Sequence, residues 1–279
     1  MYQDTLDHFG NLAQKKASML SESPLAFAVG SLMAGAYVGI GIILIFSVGG
    51  TLDPAWQKLV MGVSFGIALT LVVFAGSELF TGHTMYMVFG CLMRQTTVGD
   101  LGRVWVASWV FNLIGSVGLA ALFAAGGGGV LLNEGSQLLY DIAAFKMNSS
   151  IAALVARATL CNWLVCLALW MAARTASDAT KAIVIFWCLF AFIASGFEHS
   201  VANMTLLAIS LLGEHPDTIS VAGMAYNLLW VTVGNIIGGS VLMGFGYWYA
   251  TNGRRPVQAA TTPQNDPRAR RRGSPGVRT

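Results

Sequence analysis

Ser195-Gly196-Phe197-Glu198-His199-Ser200 sets a glutamate and a histidine side by side inside an apolar run. The run starts at Ala182 and resumes as Val201-Ala202-Asn203-Met204-Thr205-Leu206-Leu207-Ala208-Ile209. A charge at the centre of a bilayer costs about 2.5–3.5 kcal/mol, so such residues face a protein interior or a wet cavity. A second interruption of the same kind, Gly76-Ser77-Glu78-Leu79-Phe80-Thr81-Gly82, lies far earlier in the chain. The two form a pair and are expected to meet at one site on a transport path.

The composition fits that expectation. Of 279 residues, 55% are hydrophobic and 10% charged, and the mean hydropathy is +0.64. Soluble domains carry about 25% charged residues, so the chain is expected to be an all-α integral membrane protein. Residues 1–23 are polar, with Asp4, Asp7, Lys15 and Lys16, which argues against a cleaved leader. They have a weak helical pattern and are read either as a lid at the inner surface or as a solvated terminus. Cys91, Cys161, Cys166 and Cys188 lie in or beside apolar spans with no ligand spacing, so they are packers and no metal or cofactor is expected. The tail, residues 251–279, carries Arg268, Arg270, Arg271 and Arg272 among Pro, Gln and Gly. It is read as a disordered cytoplasmic extension rather than a nucleic-acid contact.

A spanning helix needs about 20 apolar residues. Apolar stretches near 24–48, 56–92, 104–125, 151–173, 182–212 and 223–250 predict six spans in a pore domain over 24–250. The second and fifth are too long for one straight crossing and hold the interruptions, so each is expected to be two half-helices. Irregular backbone at membrane depth is tolerated only where protein covers it or it lines a cavity. Lys15, Lys16, Arg94, Arg103, Arg174, Lys181 and the tail arginines fall on one side, and Asp53, Glu134, Asp141, Glu214 and Asp217 on the other, with Lys58 and Lys146 as basic exceptions there. The positive-inside rule then puts both termini in the cytoplasm, as suits a bacterial inner membrane.

The halves repeat. Gly76 with Glu78 matches Gly196 with Glu198, and Asn112-Leu113-Ile114-Gly115 matches Asn235-Ile236-Ile237-Gly238. Three spans per half is an odd number, so the halves must be inverted, an arrangement that places a site at the midplane. Small residues at Gly35, Gly39, Gly234 and Gly238 are expected to bring helices close.

The half-helix starts at the breaks present positive dipole ends and N–H groups that favour an anion. Thr81 and Ser200 are placed to cap them. His199 is the sharpest candidate, because apolar surroundings disfavour its charged form while an arriving anion favours it. Proton exchange would then yield a neutral acid that crosses an apolar constriction cheaply. Glu78 and Glu198 are read as structural, accepting the N–H groups that the breaks at Gly76 and Gly196 free. Phe65, Leu69, Phe80 and Phe192 are packing residues by default, with Phe65 and Leu69 one turn apart on one face. Lys146 sits in a predicted outer loop, where it would draw anions to the mouth. Asn162 and Asn235 are intramembrane amides that need partners, across helices or along a pore. His83 caps or packs, and His8 and His215 are solvated.

At these residues the chain resembles the formate/nitrite transporter family. The motifs are Gly76-Ser-Glu-Leu-Phe-Thr-Gly82, Cys161-Asn-Trp-Leu-Val-Cys166, Ala194-Ser-Gly-Phe-Glu-His-Ser-Val-Ala-Asn-Met204 and Val233-Gly-Asn-Ile-Ile-Gly-Gly239. The resemblance implies an aquaporin-like protomer in a homopentamer within the lipid bilayer, with a pore in each protomer. It implies that His199 is the central pore histidine and Thr81 its partner. Phe65, Leu69, Phe80, Val165 and Phe192 would form apolar constrictions, and Lys146, Asn162 and Asn235 would be polar pore or vestibule residues. The expected function is a channel or proton-coupled transporter for nitrite, with a formate-preferring channel as the alternative. A neutral-solute pore of the aquaporin class is disfavoured because the breaks carry no Asn-Pro-Ala pair. An intramembrane enzyme is disfavoured because there is no Gly-x-Ser-x-Gly motif, metal-ligand set or apposed aspartate pair.

Overall fold

The structure, a computed structural model, describes residues 2–133 and 136–252. The basic tail, past residue 252, and Glu134 lie outside the described residues. The regular structure among those described is helical. Helix α1 (Gln3–Glu22) lies along the bundle and buries Leu6, Phe9 and Ala13. Phe9 stacks on Tyr86, Phe89 and Trp170 at centroid distances of 5.0, 5.9 and 5.8 Å. These rings explain why a segment of modest apolar content is held as a helix against the protein.

Helix α2 (Pro24–Gly49) follows at once, with proline in its first turn, where a missing N–H is harmless. Helices α3 (Pro54–Ser64) and α4 (Gly66–Ala75) run on from one another with only Phe65 between them. After the first break come α5 (Phe80–Leu92) and α6 (Val98–Ala125). At the outer ends of the bundle, polar side chains cap the helices locally. Asp53 accepts from Ala55 N at 2.9 Å, and Thr97 with Asp100 forms a capping box on α6.

The second half opens on α7 (Ser136–Met147), which the sequence does not announce. Its stretch looks like a loop, yet Leu139, Ala143 and Met147 are buried at helical spacing. Lys146 is therefore in the last turn of a packed helix rather than in a loop. Helix α8 (Ile151–Ala172) is followed by α9 (Asp178–Ala194), and beyond the second break by α10 (Ser200–Leu212). Helix α11 (Val221–Ile236) widens into a π-helical segment, Ile237–Phe245, and ends as α12 (Gly246–Asn252).

Among the described residues, five continuous helical stretches are long and apolar enough to cross a membrane: Pro24–Gly49, Pro54–Ala75, Val98–Ala125, Ile151–Ala172 and Val221–Thr251. Ser200–Leu212 is shorter but as apolar in character. Glycine lets the long helices touch. A Cβ at Gly35 would lie 2.1 Å from Asn112 O, and one at Gly115 2.0 Å from Leu32 O, so α2 and α6 cross backbone to backbone. Gly234 and Gly238 do the same for α11 on α8, where a Cβ would come 2.5 Å from Val155 O and 2.3 Å from Thr159 O.

Candidate functional site

The two breaks are built from the same parts. Gly76 ends α4 at φ 72°, and Gly196 follows α9 at φ 71°, backbone that only glycine adopts without penalty. Ser77 N then reaches back to Val72 O at 3.1 Å, and Phe197 N to Phe192 O at 3.0 Å. Glu78 N bonds Gly30 O on α2 at 3.1 Å, and Glu198 N bonds Arg157 O on α8 at 3.4 Å. One buried asparagine closes each break. Asn112 accepts from Phe80 N at 2.9 Å and donates to Ser31 O and Glu78 O at 2.7 and 3.0 Å. Asn235 accepts from Ser200 N at 2.8 Å and donates to Ala158 O and Glu198 O at 2.9 and 3.0 Å. Each amide thus satisfies an orphan N–H and a carbonyl of the break, and ties both to a carbonyl inside a neighbouring helix.

These bonds correct two expectations. Neither Thr81 nor Ser200 caps its half-helix; the caps come from Asn112 on α6 and Asn235 on α11. The second half-helix has an additional cap in His199, whose Nδ1 accepts from Ala202 N at 3.1 Å. Phe80 N, Ser200 N and Ala202 N are therefore committed to side chains rather than left for an anion.

The carboxylates also behave differently from expectation. Neither takes the freed backbone N–H groups; each instead gathers side-chain donors. Glu78 accepts from Lys16 of α1 and lies 3.0 Å from His83 Nε2. Glu198 accepts from Lys146 Nζ of α7 and Asn203 Nδ2, both at 2.7 Å, with Arg157 Nη2 3.7 Å away. Lys146 is thus held by a buried partner. Buried charges persist only when paired in this way. His83 is fully buried and bonded to Glu78, so it is part of the first cluster rather than a cap or filler.

The breaks meet at His199. Its Nε2 lies 3.2 Å from Thr81 Oγ1 across the two half-helices. Because Nδ1 accepts from a backbone N–H, the neutral ring carries its proton on Nε2 and donates it to the threonine hydroxyl. Phe192 stacks on the imidazole at 6.0 Å and 15°, and Phe65 meets Phe192 edge-on at 5.5 Å. The cavity beside His199 is lined by Val38, Phe65, Ala68, Leu69, Leu79, Val165, Leu189 and Phe192, with a volume of about 10 Å³. That is space for about one water. On the α1 side a larger cavity, about 440 Å³, runs between α1 and the first break and is lined by Lys16, Leu69, Gly76, Leu79, His83 and Lys181 among others.

Four of the five expected constriction residues, Phe65, Leu69, Val165 and Phe192, therefore stand around His199. Phe80 does not stand with them. It lines a groove between α6 and α11 with Trp105, Trp109 and Leu228. Asn162 and Asn235 are not among the cavity-lining residues either. Asn162 Nδ2 joins α8 to its neighbours through Thr81 O at 3.2 Å, Thr84 Oγ1 at 2.8 Å and Asn235 O at 2.7 Å. Sequence reasoning missed Leu79, which stands in the first break where His199 stands in the second. The match of Gly76 and Glu78 with Gly196 and Glu198 holds the signal, since Leu79 is the next residue in it. The matched Asn112 and Asn235 prove to be one recurring cap.

The sequence matches the formate/nitrite transporter family over residues 3–249. The nitrite transporter NirC of Escherichia coli strain K12 is 51% identical over 258 residues, covering 92% of this chain and 96% of that protein. A solved structure described as an FNT family ion channel is 51% identical with a TM-score of 0.86, covering 88% of this chain and 98% of that one. A pentameric formate channel with formate bound is 25% identical with a TM-score of 0.70, over 83% of this chain and 98% of that one.

Proposed function

This chain belongs to the formate/nitrite transporter family, and we propose that it passes nitrite across a bacterial inner membrane through the cavity at His199. The observation that carries this reading is the 3.2 Å contact of His199 Nε2 with Thr81 Oγ1, set where two half-helices begin inside an apolar constriction. The identity to a nitrite transporter over nearly the whole chain supports the choice of anion. Formate is the second reading, supported by the formate-bound channel of the same fold.

The chain makes six crossings in this reading, in two inverted halves, with α3–α5 and α9–α10 as the broken second and fifth. The matched asparagine caps of the two breaks support the repeat, and three spans per half then require the halves to be inverted. Both termini are cytoplasmic, α1 covers the inner mouth, and five copies assemble in the lipid bilayer as in the pentameric relative.

The anion meets Nε2–H of His199 beside the Thr81 hydroxyl. When the ring is doubly protonated, its Nε2–H bond breaks as an O–H bond forms on the anion. Neutral imidazole and neutral nitrous acid result. The acid crosses the ring of Phe65, Leu69, Val165 and Phe192 without the desolvation cost of a charge, and it loses the proton to water beyond. Double protonation adds a proton from water on the entry side to Nδ1, so Ala202 N must release that nitrogen before the transfer. Glu78 and Glu198 hold the breaks rigid through their buried cations.

Nitrite uptake into proteoliposomes with internal pH recorded, for wild type and His199→Ala, tests the reading. Saturable uptake with internal acidification, lost in the variant, is the expected result. Equal uptake by both proteins with no pH change would make His199 structural. Strong competition by formate would move the preference to the second reading.

A further inference from the structure

The last long helix changes its winding where it passes the first break. From Ile237 to Phe245 it is π-helical, a form that gathers at functional sites. The segment packs on α5 and α8. It brings Gly239 so close to α5 that a Cβ there would lie 1.9 Å from Thr84 Oγ1 and 2.8 Å from Asn162 Nδ2. One residue on, Ser240 Oγ donates to Thr84 O at 2.9 Å.

A threonine that bonds back to its own helix is ordinary, and Thr84 Oγ1 does so, donating to Thr81 O at 2.6 Å. The surroundings of that hydroxyl are not ordinary. It also accepts from Asn162 Nδ2 of α8 at 2.8 Å, and the same amide reaches Thr81 O at 3.2 Å. Three elements converge on one buried hydroxyl. What that hydroxyl grips is the carbonyl of the residue whose side chain meets His199. We propose that Thr84, boxed in by Gly239 and Ser240 of the π-helical segment, is a positioning residue that sets Thr81 at hydrogen-bond distance from His199. This inference rests on the role given above to the Thr81–His199 pair.

Nitrite uptake into proteoliposomes tests it with Thr84→Val, Thr84→Ser and Gly239→Ala, each alone and combined with Thr81→Ala. Thr84→Val and Gly239→Ala are each expected to lower uptake about tenfold, as for loss of a buried hydrogen bond. Thr84→Ser restores most of what Thr84→Val loses. In the Thr81→Ala background neither change lowers uptake further, because residues acting through one partner are not additive. Losses that multiply in that background, or full uptake in Thr84→Val, would overturn the inference. If Gly239→Ala fails to assemble, the Thr84 pair decides. If Thr81→Ala alone keeps full uptake, the role of the pair falls and the inference with it. If Thr81→Ala loses uptake and Thr84→Val does not, only the inference falls.

Discussion

The first break and the second share a glycine at positive φ, a buried glutamate and an asparagine cap from a neighbouring helix. They differ where the shared parts leave a choice. Leu79 stands where the other has His199, and His83 where the other has Asn203. The backbone partner of the glutamate is Gly30 in one and Arg157 in the other. The common parts hold a strand of irregular backbone inside an apolar bundle, a task that is the same in both halves. In the proposed function the unshared parts carry the chemistry: of the matched pair Leu79 and His199, the second brings an imidazole to the cavity between the breaks.

The comparison can be broken at the carboxylates first. Removing Glu198 leaves Lys146, whose side chain is 13% exposed, without its partner. Stranding a buried charge costs about 3–5 kcal/mol, so Glu198→Ala should melt far below wild type in detergent. Glu78→Ala should cost less, because its cation Lys16 lines the cavity of about 440 Å³ on the α1 side and can turn into it. Equal losses would mean that Lys16 is as confined as Lys146.

The asparagine caps come next. Asn112→Ala and Asn235→Ala each leave a buried N–H and two carbonyls without this donor or acceptor, a loss of about 1–3 kcal/mol. Thermal melting should show the two losses to be alike, since their bonds are alike. A marked inequality would break the likeness of the two halves. Thr81→Val is smaller, at about 1 kcal/mol for one hydrogen bond, and should weaken conduction by leaving the His199 Nε2–H without its acceptor. The least change in melting is expected from His199→Asn, because asparagine is itself a good N-cap. Uptake in that variant should nevertheless lose its internal pH change. An unaltered pH change would place the proton elsewhere.

The periodicity and the two Gly-x-Glu interruptions made the spans and their breaks legible, and His199 with Thr81 stood out by position. What the sequence hid lies in contacts between distant residues. Capping rules look to the adjacent residue, so Thr81 and Ser200 were expected to cap. The acceptors come instead from 32 and 35 positions away. Lys16 and Glu78 are 62 residues apart, and nothing local marks them as partners. Helix α7 escaped because its polar residues mask a narrow buried stripe of Leu139, Ala143 and Met147. Phe80 looked like its aromatic neighbours in composition, but its place in the first turn of α5 turns it toward the α6–α11 groove.

The cavity beside His199 holds about 10 Å³. A gap of that size takes about one water molecule and has no room for a hydrogen-bonded file of them. In the proposed function, protons then find no wire to hop along, and the gradient across the membrane is held at this point. A hydrated metal cation would have to shed its shell against the same carbon walls. In that reading, tightness to ions and passage of a small weak acid follow from one narrow place.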